Sequence, residues 1–221
     1  MGWPQVVVFP GGICLTMAIL GLVFGDALPL WVLLAAEGLL GLILIWTLSF
    51  FRDPARPGPQ DESLLLAPAD GRITDIDVVQ EDSFLQQKAL RIGIFLSVFD
   101  VHINRVPCSV TVEKTRYKQG RYKNALNPES SRVNERNDLH LVRTHSPEDR
   151  LIVRQISGAI ARRIVCKARP GQNFAAGERV GMIKFGSRTE LYVPMGDQLD
   201  CLVEIGDKVK AGLTPLARYK R

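Results

Sequence analysis

The chain has 221 residues, with 28 Lys or Arg against 23 Asp or Glu and only 3 His and 4 Cys. Every Lys and Arg lies beyond residue 51, so residues 52–221 carry a net +7 while the first 51 hold only Asp26 and Glu37 as charges. That split sets a basic soluble domain directly behind an apolar segment, and the scattered Cys14, Cys108, Cys166 and Cys201, with no C-x-x-C pair and no clustered His, indicate neither a zinc site nor a disulfide framework; reduced, mostly buried thiols are expected.

Two apolar runs come first, Val6 to Phe24 and Leu28 to Phe51. A hydrocarbon core of about 30 Å needs about 20 apolar residues, so each run is long enough to span. Gly25-Asp26-Ala27 leaves room only for a hairpin turn, and Pro29 suits the first turn of the second helix. Pro10-Gly11-Gly12 leaves a re-entrant or interfacial course open for the first run. The length of the apolar sequence and the lack of a positive n-region argue against a secretory signal. Arg52 and Arg56 follow the second run, and the positive-inside tendency then puts residues 52–221 on the cytoplasmic side of the cell membrane. Glu37, an acid within the second span, suggests a role in substrate access or a partner on a neighbouring helix. The basic excess suits an anionic bilayer surface, at roughly 1 kcal/mol per nearby Lys or Arg, and equally a solvated face. No nucleic-acid partner is indicated.

The membrane hairpin therefore occupies 1–51 and a single domain 52–221, entered through a stiff linker at Pro54, Pro57, Gly58 and Pro59. Short β-like runs follow at Arg72–Val79, Leu90–Leu96 and Arg150–Ile156, each bounded by turn residues. Val203 to Gly212 reads as strand, Gly-Asp turn and strand, a pattern similar to lipoyl-like and sugar-phosphotransferase IIA-like β folds, and Ala175 to Gly181 is a weaker copy. No long amphipathic helices alternate with the strands, so the expected fold is mainly β, a sandwich or barrel. The helix candidates are Ser157–Val165 and the stretch from Tyr117 to Ala125.

The chemistry concentrates at Phe185-Gly186-Ser187-Arg188. For a backbone to break at its own serine, the hydroxyl must attack the preceding carbonyl, and glycine at 186 permits the unusual dihedrals and close approach. The hydroxyl needs a base. His102 is the choice, with Asp70 to orient it, since such triads are recognised by geometry and not by chain order. His140 and His145 lack motif company and read as surface or loop residues.

Ala67-Pro68-Ala69-Asp70-Gly71, Phe95-Leu96-Ser97, Asp100-Val101-His102-Ile103-Asn104-Arg105-Val106-Pro107, Asn134-Glu135-Arg136 and Phe185-Gly186-Ser187-Arg188 occur in that order. Together they resemble the phosphatidylserine decarboxylases, in their short proenzyme form, over residues 52 to 221. The resemblance implies that Asp70, His102 and Ser187 form a self-processing triad. It implies cleavage into residues 1–186 and 187–221, with Ser187 becoming a covalent pyruvoyl cofactor and no metal required. That group would bind the amine of phosphatidylserine as a Schiff base and release CO2 and phosphatidylethanolamine, with His102 as proton donor or as neighbour of the substrate carboxylate. The partners implied are the lipid substrate, the bilayer and the two chains of the processed proenzyme, and an exposed apolar rim would suit a homodimer.

Two positions depart from longer relatives: Arg105 stands where many have a second histidine, and Arg188 where they have a small hydroxyl residue. Arg105 reads as a substrate-binding side chain or as a structural ion-pair partner. Asn134 and Arg136 are candidate substrate contacts or parts of a structural corner, and Gly158, Ala161 and Arg162 match through packing. The alternative function is a membrane-tethered, noncatalytic lipoyl-like carrier, although Lys208 lies in a Gly-Asp-Lys-Val turn and not in a carrier lysine setting.

Overall fold

Leu, Ile, Val and Ala dominate both N-terminal runs, and both are helical: α1 (Trp3–Phe24) and α2 (Leu30–Phe50). The computed structural model describes residues 3–127, 129–159, 163–184 and 186–220, in two compact units, Met1–Asp53 and Pro54–Arg221. The first unit is a hairpin of α1 and α2, joined by a turn in which Gly25 N–H donates to Gly21 O at 3.1 Å. Pro29 is the N-cap of α2, one position before its first turn. Thr16 and Thr47 each donate their hydroxyl to the carbonyl four residues back, at 2.9 and 2.8 Å, which satisfies a polar group inside an apolar segment. Val7–Phe24 and Leu30–Phe50 are long and apolar enough to cross a membrane. Glu37 is half-buried on α2.

The second unit is strand-rich. It runs through β1 (Leu64–Leu66), β2 (Gly71–Glu81), β3 (Gln87–Leu96), β4 (Ile103–Arg105), β5 (Val110–Lys118), α3 (Ser130–Val133), β6 (Arg136–Arg143) and β7 (Arg150–Ile156). It continues with β8 (Ile164–Cys166), β9 (Asn173–Phe174), β10 (Arg179–Ile183), β11 (Ser187–Pro194), β12 (Leu199–Cys201), β13 (Lys208–Val209) and β14 (Pro215–Tyr219). Eight strands make one sheet in the order β13-β2-β3-β11-β7-β6-β5-β9, and two three-stranded sheets, β1-β14-β12 and β4-β10-β8, accompany it. The strand pairs are antiparallel, the arrangement that short connections permit. Alternation sets the faces: Ile92, Ile94, Leu139, Val153 and Leu191 are fully buried in the main core.

The repeated glycine turns meet each other. Gly177 and Gly212 have φ of +75° and +70°, and a Cβ on Gly212 would lie 3.3 Å from Gly177 Cα. Their N–H groups donate to Val106 O and Ala67 O at 3.1 and 2.9 Å. Gly58 of the linker packs on the same turn, where a Cβ would lie 2.4 Å from Gly212 O.

Several expectations are corrected. Val203–Ile205 is irregular, and the flanking strands are β12 and β13. No helix covers the described part of Ser157–Val165: Ser157 and Gly158 are irregular and Ile164 begins β8, while the matched Ala161 and Arg162 lie outside the described residues. Tyr117 belongs to β5, and the stretch beyond it is tied down by Asn134, which holds both backbone groups of Lys123. The helix in this region is the four-residue α3. Cys14 and Cys201 are exposed and Cys166 is half-buried, leaving Cys108 as the fully buried thiol. His140 is buried on β6 with its ring stacked on Phe84 at 4.2 Å.

Candidate active site

Ser187 opens β11, in register with Leu96 of β3. It is completely buried, and its Oγ has no hydrogen-bond partner. Gly186, immediately before it, has φ +58°, a left-handed conformation that costs roughly 1–2 kcal/mol for a residue with a Cβ. Space is not the reason for this glycine, because a Cβ there would meet only Val98 Cγ1 at 3.9 Å. Phe185 lies outside the described residues.

His102 sits between β3 and β4 with no exposed surface. The turn before it is closed by Asp100 N–H to Ser97 O at 3.0 Å and Ser97 N–H to Asp100 Oδ2 at 2.8 Å. His102 O accepts from Ile183 N–H at 3.2 Å. Its Nδ1 is 2.9 Å from Asp100 O, and Gly186 N–H donates to its Nε2 at 3.2 Å. A carbonyl can only accept, so the proton is on Nδ1 and the Nε2 lone pair faces the Gly186 amide. The tertiary fold thus brings residues 102, 186 and 187 together.

Asp70 is held differently from the triad expectation. Its carboxylate forms a two-pronged ion pair with Arg56, through Nη1 to Oδ1 and through Nη2 to Oδ2 at 2.7 Å, and Ala211 N–H donates to Oδ1 at 2.8 Å. The ring of His102 is oriented by the carbonyl of Asp100. Arg56, which sequence reading treated as a membrane-flanking cation, is nearly buried in this pair.

Arg105 is 6% exposed and donates to Gly177 O at 2.9 Å and Pro54 O at 3.2 Å, so it ties the linker to the paired glycine turns. Asn134 donates to Lys123 O and Ser157 O, both at 2.8 Å. Arg136 donates to Ser131 O at 2.9 Å and lies 3.7 Å from Asp138. All three side chains serve backbone carbonyls here, as structural ties.

On β11, Ser187, Thr189 and Leu191 share the core face, and Thr189 continues into a buried amide chain. Asn104 donates to Thr189 Oγ1 at 3.0 Å, Gln155 to Asn104 Oδ1 at 2.8 Å and Asn137 to Gln155 Oε1 at 3.0 Å. Arg188, Glu190 and Tyr192 point the other way, into a layer of buried charge. Arg188, fully buried, donates to Thr74 Oγ1 at 2.7 Å, to Glu190 Oε1 at 2.8 Å and to Asp75 Oδ2. A Cβ on Gly93 would lie 2.0 Å from its guanidinium. Burial favours neutral Asp75, but the hydrogen bond and charge of Arg188 win and hold its carboxyl below the usual range. Burial likewise opposes the charge on Arg188, and Glu190 and Asp75 together raise its pKa. Arg188 stands out in the sequence as a departure, but nothing there signals this layer, because Thr74 and Asp75 come from β2, more than a hundred residues away. Among the described residues no group of three His, Cys, Asp or Glu side chains could hold a metal ion.

A family model described as phosphatidylserine decarboxylase matches residues 43–217. A phosphatidylserine decarboxylase proenzyme of Pelagibacter ubique is 43% identical over 193 residues, covering 86% of this chain and 87% of that protein. The corresponding proenzyme of Aromatoleum aromaticum is 42% identical over 217 residues, covering 98% and 93%, and that of Burkholderia ambifaria 39% over 220 residues, covering 100% and 95%. The chain belongs to the phosphatidylserine decarboxylase family of enzymes.

Proposed function

We propose that the chain cuts itself between Gly186 and Ser187 and then converts phosphatidylserine to phosphatidylethanolamine and CO2 at a membrane. One observation carries the reading: a buried Ser187 Oγ without a partner follows a left-handed glycine whose N–H donates to Nε2 of a neutral His102. A hydroxyl left unpaired in a buried position costs about 1–3 kcal/mol, an arrangement that suits a nucleophile.

In the first step Ser187 Oγ gives its proton to His102 Nε2 and bonds to the Gly186 carbonyl carbon. The bond from that carbon to Ser187 N breaks, the nitrogen takes the proton, and an ester remains. The lone pair that now accepts the Gly186 amide is the one needed, so a small movement of ring or amide precedes transfer. In the second step His102 Nε2, its lone pair free again, takes the Ser187 Cα proton and the Cβ–Oγ bond breaks, so residues 1–186 leave with a C-terminal carboxylate. Water then replaces the nitrogen of the dehydrated residue, releasing ammonia and leaving a pyruvoyl group at position 187.

The residues present suit that group. Its formation removes the hydroxyl that has no partner, and the ladders of β11 to β3 and β7, with the buried Arg188, hold the new terminus in register. A pyruvoyl carbonyl supplies a covalent hold for the substrate amine and an electron sink as CO2 leaves. His102, once Nε2 has taken up a proton, is the group to deliver it to the product carbon. The two apolar helices would keep this site at the bilayer where the substrate resides, with residues 52–221 on the cytoplasmic side.

Intact mass spectrometry of the purified chain beside Ser187→Ala tests the reading. The expected result is a 35-residue fragment, Ser187 to Arg221, about 17 Da lighter than hydrolysis alone would give because ammonia has gone, with Ser187→Ala remaining whole. If both stay as single chains after prolonged incubation with membranes, the decarboxylase reading fails and a noncatalytic carrier becomes the better account.

A further inference from the structure

The Asn134-Glu135 corner and Gly158 have no part in the chemistry described so far, yet they meet at the bond to be cut. Each polar group of Ser157 is tied to the corner. Ser157 N–H and Oγ donate to Glu135 O at 2.9 and 3.1 Å, and Ser157 O accepts from Asn134 Nδ2 at 2.8 Å. The corner is itself fixed: Asn134 N–H donates to Ser130 O at 2.9 Å, Glu135 N–H to Arg121 O at 3.0 Å, and Asn134 is 1% exposed.

Gly158 follows Ser157 directly. A Cβ on it would lie 2.0 Å from Gly186 O, 3.0 Å from Gly186 C and 3.3 Å from Ala125 Cβ. Its φ is not in the left-handed range, so glycine is required here for room and not for conformation. The two glycines thus divide the work. Gly186 supplies the backbone bend, and Gly158 supplies a bare surface against which the carbonyl rests.

We propose that Gly158, fixed through Ser157 by the Asn134-Glu135 corner, is a seat that positions the scissile carbonyl of Gly186 for attack by Ser187. The proposal rests on self-cleavage after Gly186, and it makes Gly158 and Asn134 positioning residues. A side chain at 158 pushes the carbonyl away, and a misplacement of about 1 Å costs on the order of 100-fold in rate.

The test uses the full chain with Gly158→Ala and, separately, Asn134→Asp, which keeps the size of the side chain but removes both donors. Cleavage is followed over time on denaturing gels. Each substitution is also made with Ser187→Ala, so that folding is measured in a chain that cannot cut. The expected result is cleavage slowed about 100-fold by Gly158→Ala, with a melting temperature within about 4 °C of the Ser187→Ala reference. Asn134→Asp is slowed to a smaller extent. Hydroxylamine, which severs esters and spares amides, releases no extra fragment from Gly158→Ala, because the block precedes the ester.

Cleavage of Gly158→Ala at the parent rate, or a fragment freed from it by hydroxylamine, overturns the seat. Should Gly158→Ala melt below the assay temperature, Asn134→Asp decides, and the parent rate there overturns the seat as well. A parent chain that never cleaves overturns self-cleavage and the seat together, whereas a parent that cleaves alongside an equally fast Gly158→Ala overturns the seat alone.

Discussion

His102 and Asp70 differ in how their burial is compensated. His102 keeps hydrogen bonds to backbone on both ring nitrogens, whereas Asp70 is neutralised by Arg56. His102→Gln can still accept the Gly186 N–H but cannot take a proton from Ser187, so cleavage should slow by about 10²–10⁴-fold, read as the half-time for loss of the uncut chain. Cleavage at the parent rate would reduce His102 to a hydrogen-bond acceptor. Asp70→Asn leaves the Arg56 guanidinium buried without its counter-charge, and breaking such a pair costs about 3–5 kcal/mol. The urea midpoint should fall accordingly and recover when Arg56→Met is added. If cleavage recovers with it, Asp70 acts through folding; if stability alone recovers, Asp70 has a part in the chemistry.

At the scale of elements, β11 serves two environments because successive side chains point to opposite faces. The core face carries Ser187 and the other carries the buried charge, and that second face makes stability depend on pH. Burial pushes His140 below its ordinary 6.5, reinforced by Lys114 and Arg116 and opposed by Asp138 and Glu81. Just below pH 6.5 the unfolded chain therefore binds more protons than the folded one. Stability is full above about pH 7 and falls as the pH drops toward the folded value. Asp75, whose folded pKa lies under 3.8, adds stability that is complete above about pH 5 and is lost as pH falls below 3.8. His140→Phe should flatten urea midpoints between about pH 7 and 5 while leaving the steeper acid loss in place; an unchanged slope would assign the upper limb to another group. Thiol reactivity follows the same burial. Cys108 is pushed up to about 12 and should resist alkylation at pH 8 in the folded chain, while exposed Cys201 reacts; equal labelling would show that the β1 to β5 region opens.

For the whole molecule, two long apolar helices and a domain of net +7 would offer separate means of holding a membrane. Screening shortens surface attraction to about 3 Å at 1 M salt but leaves apolar insertion intact. The chain should stay in the membrane pellet through high salt and alkaline carbonate and be released by detergent; release by salt alone would make the basic surface the anchor. Much of this was legible along the chain. Two long apolar helices, strand-rich character and the runs at β2, β3 and β7 rest on length and alternation, which a sequence carries directly. The misread helices failed for a tertiary reason, since Asn134 and Glu135 take the backbone groups of Lys123 and Ser157 and leave the chain at Lys123 and at Ser157-Gly158 irregular. Only the tertiary structure decided that Asp70 pairs with Arg56 and Ala211, that Asp100 offers a carbonyl to His102, that Arg188 lies in a charged layer and that Gly158 touches the Gly186 carbonyl. Those contacts join residues distant in sequence or use backbone atoms common to every residue, so their partners are set by how the sheets pack and not by residue type.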